Sequence, residues 1–291
     1  MQHLKNFFNR PVFMEAQYVR EFARVAYEAR DIDVVKMKTQ AESALSARGA
    51  THTRPCSAGT FCGMERPYYY SPQPGVAVVP VYGAIYAGAE DWQEYFFGVI
   101  NPARIEKGIR DAAADCSIDT IVLDIDSPGG TVMGTGEVFD TLAQARKEKN
   151  VIAVTEGLAA SAAYQLACGA DEIFASVGAL VGSIGTYISW ADPTRMFKEW
   201  GIDFEVFKAG EHKAIGLPGR ELTEADRALL QGEVEAMNTD FKSKVLSRRG
   251  KVADAVMQGQ LHSARAALDT NLIDGVVRFD DVIALHLTSA Q

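Results

Sequence analysis

A serine within a run of small residues is the first candidate for chemistry. Ser161 lies in GLAASAAYQLACGAD, at the predicted start of a helix built mostly from small side chains. Such a position puts the hydroxyl near the positive end of the helix dipole and offers the Ala162 N–H as a donor to a developing oxyanion. An N-cap or packing serine is the ordinary alternative.

A serine nucleophile needs a base, and the histidines offer little. Only His212 lies inside the central pattern of strands and helices, and it is followed directly by Lys213 in KAGEHKAIGLPGR. A lysine acts as a base when apolar surroundings lower the pKa of its amine toward neutrality. Lys213 is therefore the candidate base, with a simply solvated lysine as the alternative.

Two further segments are candidates to complete such a site. Gly129 and Gly130 end DSPGG after the predicted strand Ile121–Asp126, where glycines let the backbone approach a ligand and N–H groups can hold an oxyanion. Ser183 in VGSIG lies in an apolar run, and a neutral amine would suit its buried hydroxyl. An ordinary turn and a serine bonded to nearby backbone are the alternatives.

Strands and helices alternate along most of the chain, and these elements must hold the candidate residues. The predicted strands are Gly75–Gly83, Ile121–Asp126, a run from Val151, Glu172–Ser176, Phe204–Gly210 and Leu272–Val277. The predicted helices are Glu15–Lys38, Pro102–Asp115, Gly134–Lys149, a run from Ala160, Leu222–Ser247 and Ser263–Asn271. This alternation predicts an α/β fold of right-handed βαβ units around a mostly parallel sheet.

The long predicted helix Leu222–Ser247 has both ends marked in the sequence. Thr223 and Asp226 resemble a capping box at its start, and Gly250 can end it. Its apolar stripe predicts packing against the scaffold or an oligomer contact. The stripe includes Leu229, Val234, Met237, Phe241 and Val245.

Composition divides the chain near residue 74. Ala41–Pro74 is rich in Ser, Thr, Gly, Pro and Tyr, which predicts an N-terminal helical arm and linker over 1–74 and a catalytic domain over 75–291. The net charge of −9 argues against nucleic acid or anionic lipid as a partner. No apolar stretch reaches about 18 residues, so we predict a cytoplasmic protein without a membrane anchor. Four cysteines without paired CxxC spacing predict no metal site and free thiols, with a disulfide between Cys56 and Cys62 as the alternative.

Five segments, taken in order, resemble the signal peptide peptidase A family of Ser/Lys serine peptidases. They are VVPVYGAI, DSPGG, AASAAYQLACGADEIFAS, VGSIG and KAGEHKAIGLPGRELT, and the likeness extends over about Gly75–Val277. It implies a Clp/crotonase-type fold and peptide-bond hydrolysis without a cofactor. The residue roles implied are nucleophile for Ser161, general base for Lys213, orienting hydroxyl for Ser183, and oxyanion turn for Gly129 and Gly130.

Within that family, the chain is more similar to the soluble capsid-maturation proteases of tailed phages and prophages. RPVFMEAQYVREFA at 10–23 carries this closer likeness. It implies a homo-oligomeric ring in the host cytoplasm or the phage prohead. The substrates implied are scaffold or portal-associated proteins rather than signal peptides.

One departure from the family and three rival functions remain open. Ala162 and Ala163 stand where many relatives carry Gly-Gly, and their methyl groups are expected to narrow the groove or shift an oxyanion N–H. An inactive capsid assembly protein is therefore one rival. A crotonase-like hydratase would need catalytic carboxylates and a coenzyme A site instead. A Clp-type Ser/His/Asp peptidase would need a histidine soon after the Ser161 helix, and none is there.

Overall fold

The computed structural model of this chain describes residues 12–14, 68–190, 192, 194–217 and 220–285. The strands are β1 Val12–Met14, β2 Tyr70–Gln73, β3 Gly75–Tyr82, β4 Ala84–Ile85, β5 Val99–Ile100, β6 Ile118–Asp126, β7 Gly129–Thr131, β8 Asn150–Thr155, β9 Leu158–Ala160, β10 Glu172–Ala175, β11 Leu180–Gly182, β12 Leu261–Ser263 and β13 Gly275–Val276. The helices are α1 Asp91–Phe97, α2 Pro102–Ala114, α3 Thr135–Ala145, α4 Ala162–Ala167, α5 Thr194–Glu199, α6 Glu224–Arg249, α7 Ala264–Asp269 and α8 Phe279–Leu285.

The central sheet has six strands in the order β13-β10-β8-β6-β3-β2. Its first five members pair in parallel, and only β2 runs antiparallel, at one edge. β3 and β6 are almost continuously buried, as expected for β-branched runs in a parallel sheet covered on both faces. The predicted α/β fold with a mostly parallel sheet is confirmed.

Helices cover this sheet because parallel neighbours need crossover connections. α2 leads into β6, and α3 joins β7 to β8. Ile105 and Ile109 of α2 and Leu142 of α3 are fully buried in the same core cluster as Ile121 and Leu123 of β6. The strong amphipathic pattern of these helices therefore accounts for the confirmed predictions over Pro102–Asp115 and Gly134–Lys149.

Two small sheets lie beside the central one and carry the candidate residues. One has the order β1-β7-β4-β5, and the other has the order β12-β11-β9. An isolated bridge between Ser127 and Ala159 connects the approach to β7 with β9. The small sheets therefore bring together turns that are well separated in the sequence.

The long helix forms largely as predicted. α6 begins after Thr223, which forms a capping box with Asp226, and ends at Arg249 with Gly250 as its C-cap. Phe241 and Val245 are fully buried, whereas Leu229 remains 39% exposed. The C-terminal half of the apolar stripe therefore packs against the core, and the N-terminal half is open to solvent.

The predicted strand at Phe204–Gly210 is wrong. Residues 202–208 have no regular structure, and 201–211 are all exposed. Phe207 is 91% exposed. Alternating apolar residues form a strand only where a neighbouring strand completes the hydrogen-bond ladder, and no described strand pairs here.

Several predictions concern residues outside the described part of the chain. These are the helix Glu15–Lys38, most of the predicted linker, and Cys56 and Cys62. The predicted domain boundary falls between β2 and β3, which pair with each other. The division at residue 74 therefore stays a prediction. Among the described residues, no helix combines the length and apolar character needed to cross a membrane.

Candidate active site

Ser161 occupies a strained junction between β9 and α4. Its backbone has φ 55° and ψ −122°, a conformation that L-residues rarely adopt, and the residue is only 1% exposed. The Ser161 N–H donates to the carbonyl oxygen of Gly182 at 2.7 Å, and the Ser161 carbonyl accepts from the Gln165 N–H at 2.9 Å. Such strain costs about 1–3 kcal/mol and is found disproportionately at functional sites.

Ser183 follows the neighbouring strand in the corresponding position. β9 and β11 run parallel with Ala160 opposite Gly182, so Ser161 and Ser183 continue two paired strands at the same end. Ser183 also has a positive φ of 51°, is buried, and donates its N–H to Gln260 O at 2.8 Å. Among described non-glycine residues, only Asn271 shares this backbone region with the two serines.

The DSPGG turn is bonded onto the strand that leads to Ser161. The Ser127 N–H donates to Leu158 O at 2.7 Å, and the Ala160 N–H donates to Ser127 O at 3.1 Å. β7, which contains both glycines of the turn, packs against α4. The structure therefore brings the turn, Ser161 and the Ser183 segment into one place, as the predicted site requires.

Both glycines of this turn contact other parts of the protein. Gly129 has φ 89°, and its N–H donates to Ser127 Oγ at 3.2 Å. A Cβ at Gly130 would lie 1.8 Å from the carbonyl oxygen of Ile85, because β4 runs directly beside β7. Close packing thus explains the glycine at 130, a reason different from the ligand approach expected from the sequence.

The methyl groups of Ala162 and Ala163 lie in the core. Both residues have no solvent exposure and belong to the main hydrophobic cluster. Relative to glycine, these methyl groups fill the space beneath the helix. Because both methyl groups are buried, their positions do not support the expectation that they narrow an open groove.

Lys213, unlike Ser161 and Ser183, is not buried. It is exposed, and its backbone N–H donates to Gly210 O at 3.3 Å within a series of turns. Among the described residues, no hydrogen bond or ion pair joins its amine to Ser161 or Ser183. The structure therefore brings the serines and the turn together, with no described contact between them and the predicted base.

A buried polar cluster lies next to Lys213, and the sequence indicated only part of it. Asp226 has no solvent exposure, and its carboxylate contacts His212, Arg220 and the Thr223 N–H. The hydrogen bond from His212 is the main cause that holds the pKa of Asp226 well below its usual range. The capping box in the sequence identified Asp226 as part of a helix cap. Its contacts with His212 and Arg220 were not predicted, because they depend on how the loop folds.

The described residues hold no group of three or more His, Cys, Asp or Glu able to bind a metal ion. Ser161 contributes a buried hydroxyl at the N-terminal end of α4. This arrangement suits nucleophilic attack followed by stabilisation of an oxyanion.

A model of a known protein family matches about half of the chain. The model of peptidase family S49 matches residues 143–290. This chain belongs to peptidase family S49. The matched segment includes Ser161, Ser183 and Lys213 and begins after the DSPGG turn.

Curated relatives of this S49 member include phage and bacterial proteins. Capsid assembly protease C of Escherichia phage lambda is 29% identical over 280 residues, which cover 96% of this chain and 63% of that protein. A putative signal peptide peptidase SppA of Enterococcus faecium is 24% identical over 173 residues, which cover 58% of this chain and 50% of that protein. The chain thus spans between half and 63% of the length of these two relatives.

Similar solved structures include a mutant of ClpP1 from Listeria monocytogenes. The match has 16% sequence identity and a TM-score of 0.45, and it covers 70% of this chain and 92% of that one. The likeness concerns the fold alone.

Proposed function

We propose that this S49 member is a serine endopeptidase in which Ser161 is the nucleophile and Lys213 the general base. The observation that carries the proposal is the backbone of Ser161, strained at φ 55° and buried where β9, the Ser183 segment and the DSPGG turn meet. Strained backbone of this kind is concentrated at functional sites, which supports a catalytic role for Ser161 over a packing role.

The proposed reaction proceeds through an acyl-enzyme. The neutral amine of Lys213 takes the Ser161 hydroxyl proton while Oγ attacks the peptide carbonyl carbon, and N–H groups of Gly130 and Ala162 stabilise the oxyanion. Collapse of this intermediate breaks the C–N bond, and the Lys213 ammonium protonates the leaving amine. Water then attacks the ester, with Lys213 again as base, and releases Ser161.

This mechanism requires Lys213 to reach Ser161. Because the lysine is exposed in the isolated chain, its loop must close over the serine of the same copy or of a neighbouring copy in an oligomer. We propose a homo-oligomeric ring for this reason and from the family likeness. Only the neutral amine can accept a proton, so cleavage should increase with pH.

The edge of β7 supports a peptide as substrate. β1 pairs antiparallel with β7, so that Phe13 lies opposite Gly130 and Met14 opposite Gly129. An extended backbone therefore already lies along the strand that contains the proposed oxyanion turn. Extended substrates that add a strand to an exposed edge bind in the same geometry.

Scaffold or portal-associated proteins of a phage or prophage are the proposed substrates. The similarity to Capsid assembly protease C over 96% of this chain supports that class. The similarity to a putative signal peptide peptidase covers 58% of the chain and supports signal peptides as the alternative.

An inactive assembly protein is the second candidate function. The exposed position of Lys213 favours it, because no described contact joins the base to the nucleophile. This candidate predicts a folded protein that cleaves neither a scaffold nor itself.

The test compares wild type with Ser161→Ala and Lys213→Ala on an unstructured protein and on co-expressed capsid scaffold, with products read by intact mass. Lys198→Ala is the matched control, since Lys198 is another exposed lysine, on α5. Cleavage lost in both site variants and kept in the control supports the dyad. Cleavage that persists in both variants excludes it, and no cleavage by wild type favours the inactive protein.

A further inference from the structure

The loop that carries Lys213 has few attachments of its own. Residues 201–211 are all exposed, and the next helix or strand among the described residues is α6. Such a segment would leave a lysine free to sample many positions. Something else must define where Lys213 lies if it is to act as a base.

Asp226 provides the attachment from the third residue of α6. His212 Nδ1 lies 2.8 Å from Asp226 Oδ1, and because a carboxylate can only accept, the ring donates from Nδ1. Arg220 Nη2 donates to Asp226 Oδ2 at 2.6 Å, and the Thr223 N–H donates to the same oxygen at 3.0 Å. One buried carboxylate therefore ties together both sides of the loop that contains Lys213.

The positive charge of Arg220 is paired with the carboxylate of Asp226. The Arg220 side chain is 13% exposed, and its Nη1 is buried without a hydrogen-bond partner among the described residues. Removing the carboxylate charge would leave this guanidinium buried and unpaired, which is costly. This cost would favour conformations in which Arg220 reaches solvent and the loop leaves its present position.

Lys213 lies between two anchored residues. His212 precedes it and is held by Asp226, while Ala214 follows it and is 1% exposed. The Ile215 N–H also donates to His212 O at 3.1 Å, which closes the turn around the lysine. The backbone of Lys213 is thus fixed to α6, although its side chain faces solvent.

We propose that Asp226, through His212 and Arg220, is a positioning residue that sets the place of Lys213 for catalysis. This inference rests on the proposed function, in which Lys213 is the base, in the form where Lys213 keeps its present backbone position and a neighbouring copy in the oligomer brings Ser161 to it. Because the contacts of Asp226 are His212, Arg220 and Thr223, its loss should act through the position of Lys213 and lower kcat, with KM nearly unchanged. Small displacements of a catalytic group are enough to reduce the rate by about 100-fold.

The test uses the full chain with Asp226→Asn and His212→Gln, and measures kcat and KM on an unstructured protein substrate. We expect kcat to fall by about tenfold or more in both variants with KM within about twofold of wild type. Hydrogen exchange of the amides at 212–217 should become faster in both. Asp240 is an exposed carboxylate on the same helix, and Asp240→Asn should leave kcat, KM and the exchange rates unchanged.

Thr223→Ala separates positioning from helix capping. It removes the hydroxyl that accepts from the Asp226 N–H at 3.1 Å and keeps the contacts of Asp226 with His212 and Arg220. A purely structural role of Asp226 predicts that Thr223→Ala lowers kcat as much as Asp226→Asn does, which would overturn the proposal. Positioning predicts a lower Tm with an unchanged kcat.

Ser161→Ala and Lys213→Ala in the same series distinguish the two proposals. Activity that survives Lys213→Ala rules out the proposed Ser/Lys mechanism. Activity lost in Lys213→Ala but kept in Asp226→Asn and His212→Gln overturns the positioning proposal alone. For an inactive wild type, hydrogen exchange decides: unchanged rates at 212–217 in both variants overturn it.

Discussion

The N–H of Ser161 donates a 2.7 Å hydrogen bond to the carbonyl oxygen of Gly182, the residue that precedes Ser183. This bond continues the pairing of β9 with β11 by one step beyond the strands. Both serines then turn into positive φ. The backbone of one candidate site residue is thereby fixed by the segment that carries the other.

The strain at Ser161 predicts an unusual order of stability among its variants. The free energy of unfolding of Ser161→Gly should exceed that of Ser161→Ala by about 1 kcal/mol, because glycine adopts a φ of 55° without a Cβ clash. Both variants should lose cleavage. Urea unfolding at constant pH measures the difference, and an alanine variant as stable as the glycine variant would contradict the strain.

Gly130→Ala should destabilise the fold by about 1–3 kcal/mol, because the new Cβ would lie 1.8 Å from Ile85 O. Gly136→Ala is the matched control on α3, where the nearest atom, Lys244 Nζ, lies 3.9 Å from the new Cβ. This change should stabilise the helix by about 0.5–1 kcal/mol. Thermal unfolding of both variants checks the pair, and equal effects would contradict the close β4–β7 packing.

The lowered pKa of Asp226 predicts how stability depends on acid. A carboxyl whose folded pKa lies below its unfolded value of about 3.9 contributes stability above that pH and loses it as the pH falls toward the folded pKa. The difference in unfolding free energy between wild type and Asp226→Asn should therefore shrink between pH about 5 and pH about 2. Urea unfolding across this range is the measurement, and a constant difference would be the contrary result.

The pairing of β1 with β7 predicts competition between the N-terminal segment and an extended substrate. Phe13→Pro removes the backbone N–H at the residue opposite Gly130 and should weaken this pairing. We expect KM for a peptide substrate to fall, with kcat unchanged. Phe13→Ala keeps the N–H and is the control for the side chain; a higher KM in Phe13→Pro would show that β1 supports binding instead.

Much of the fold was predictable because hydrophobic periodicity is a local property. The β-branched runs at β3, β6 and β8 and the amphipathic pattern of α2 and α3 each indicate their own element. The ends of α6 were equally readable from Thr223, Asp226 and Gly250, since capping involves neighbours in sequence. Phe204–Gly210 has the same kind of pattern but no partner strand, and pairing is not encoded locally.

The residue types that could form a Ser/Lys site, the order of the motifs and the α/β class follow from the amino-acid sequence alone. That Ser161, Ser183 and the DSPGG turn meet is visible only in the folded chain, because β9 pairs with β11 and with Ser127 across long stretches of sequence. The folded chain also shows that Ile85 O requires a glycine at 130 and that Asp226 holds His212 and Arg220. These contacts depend on close approach between distant segments, which no local pattern of side chains specifies.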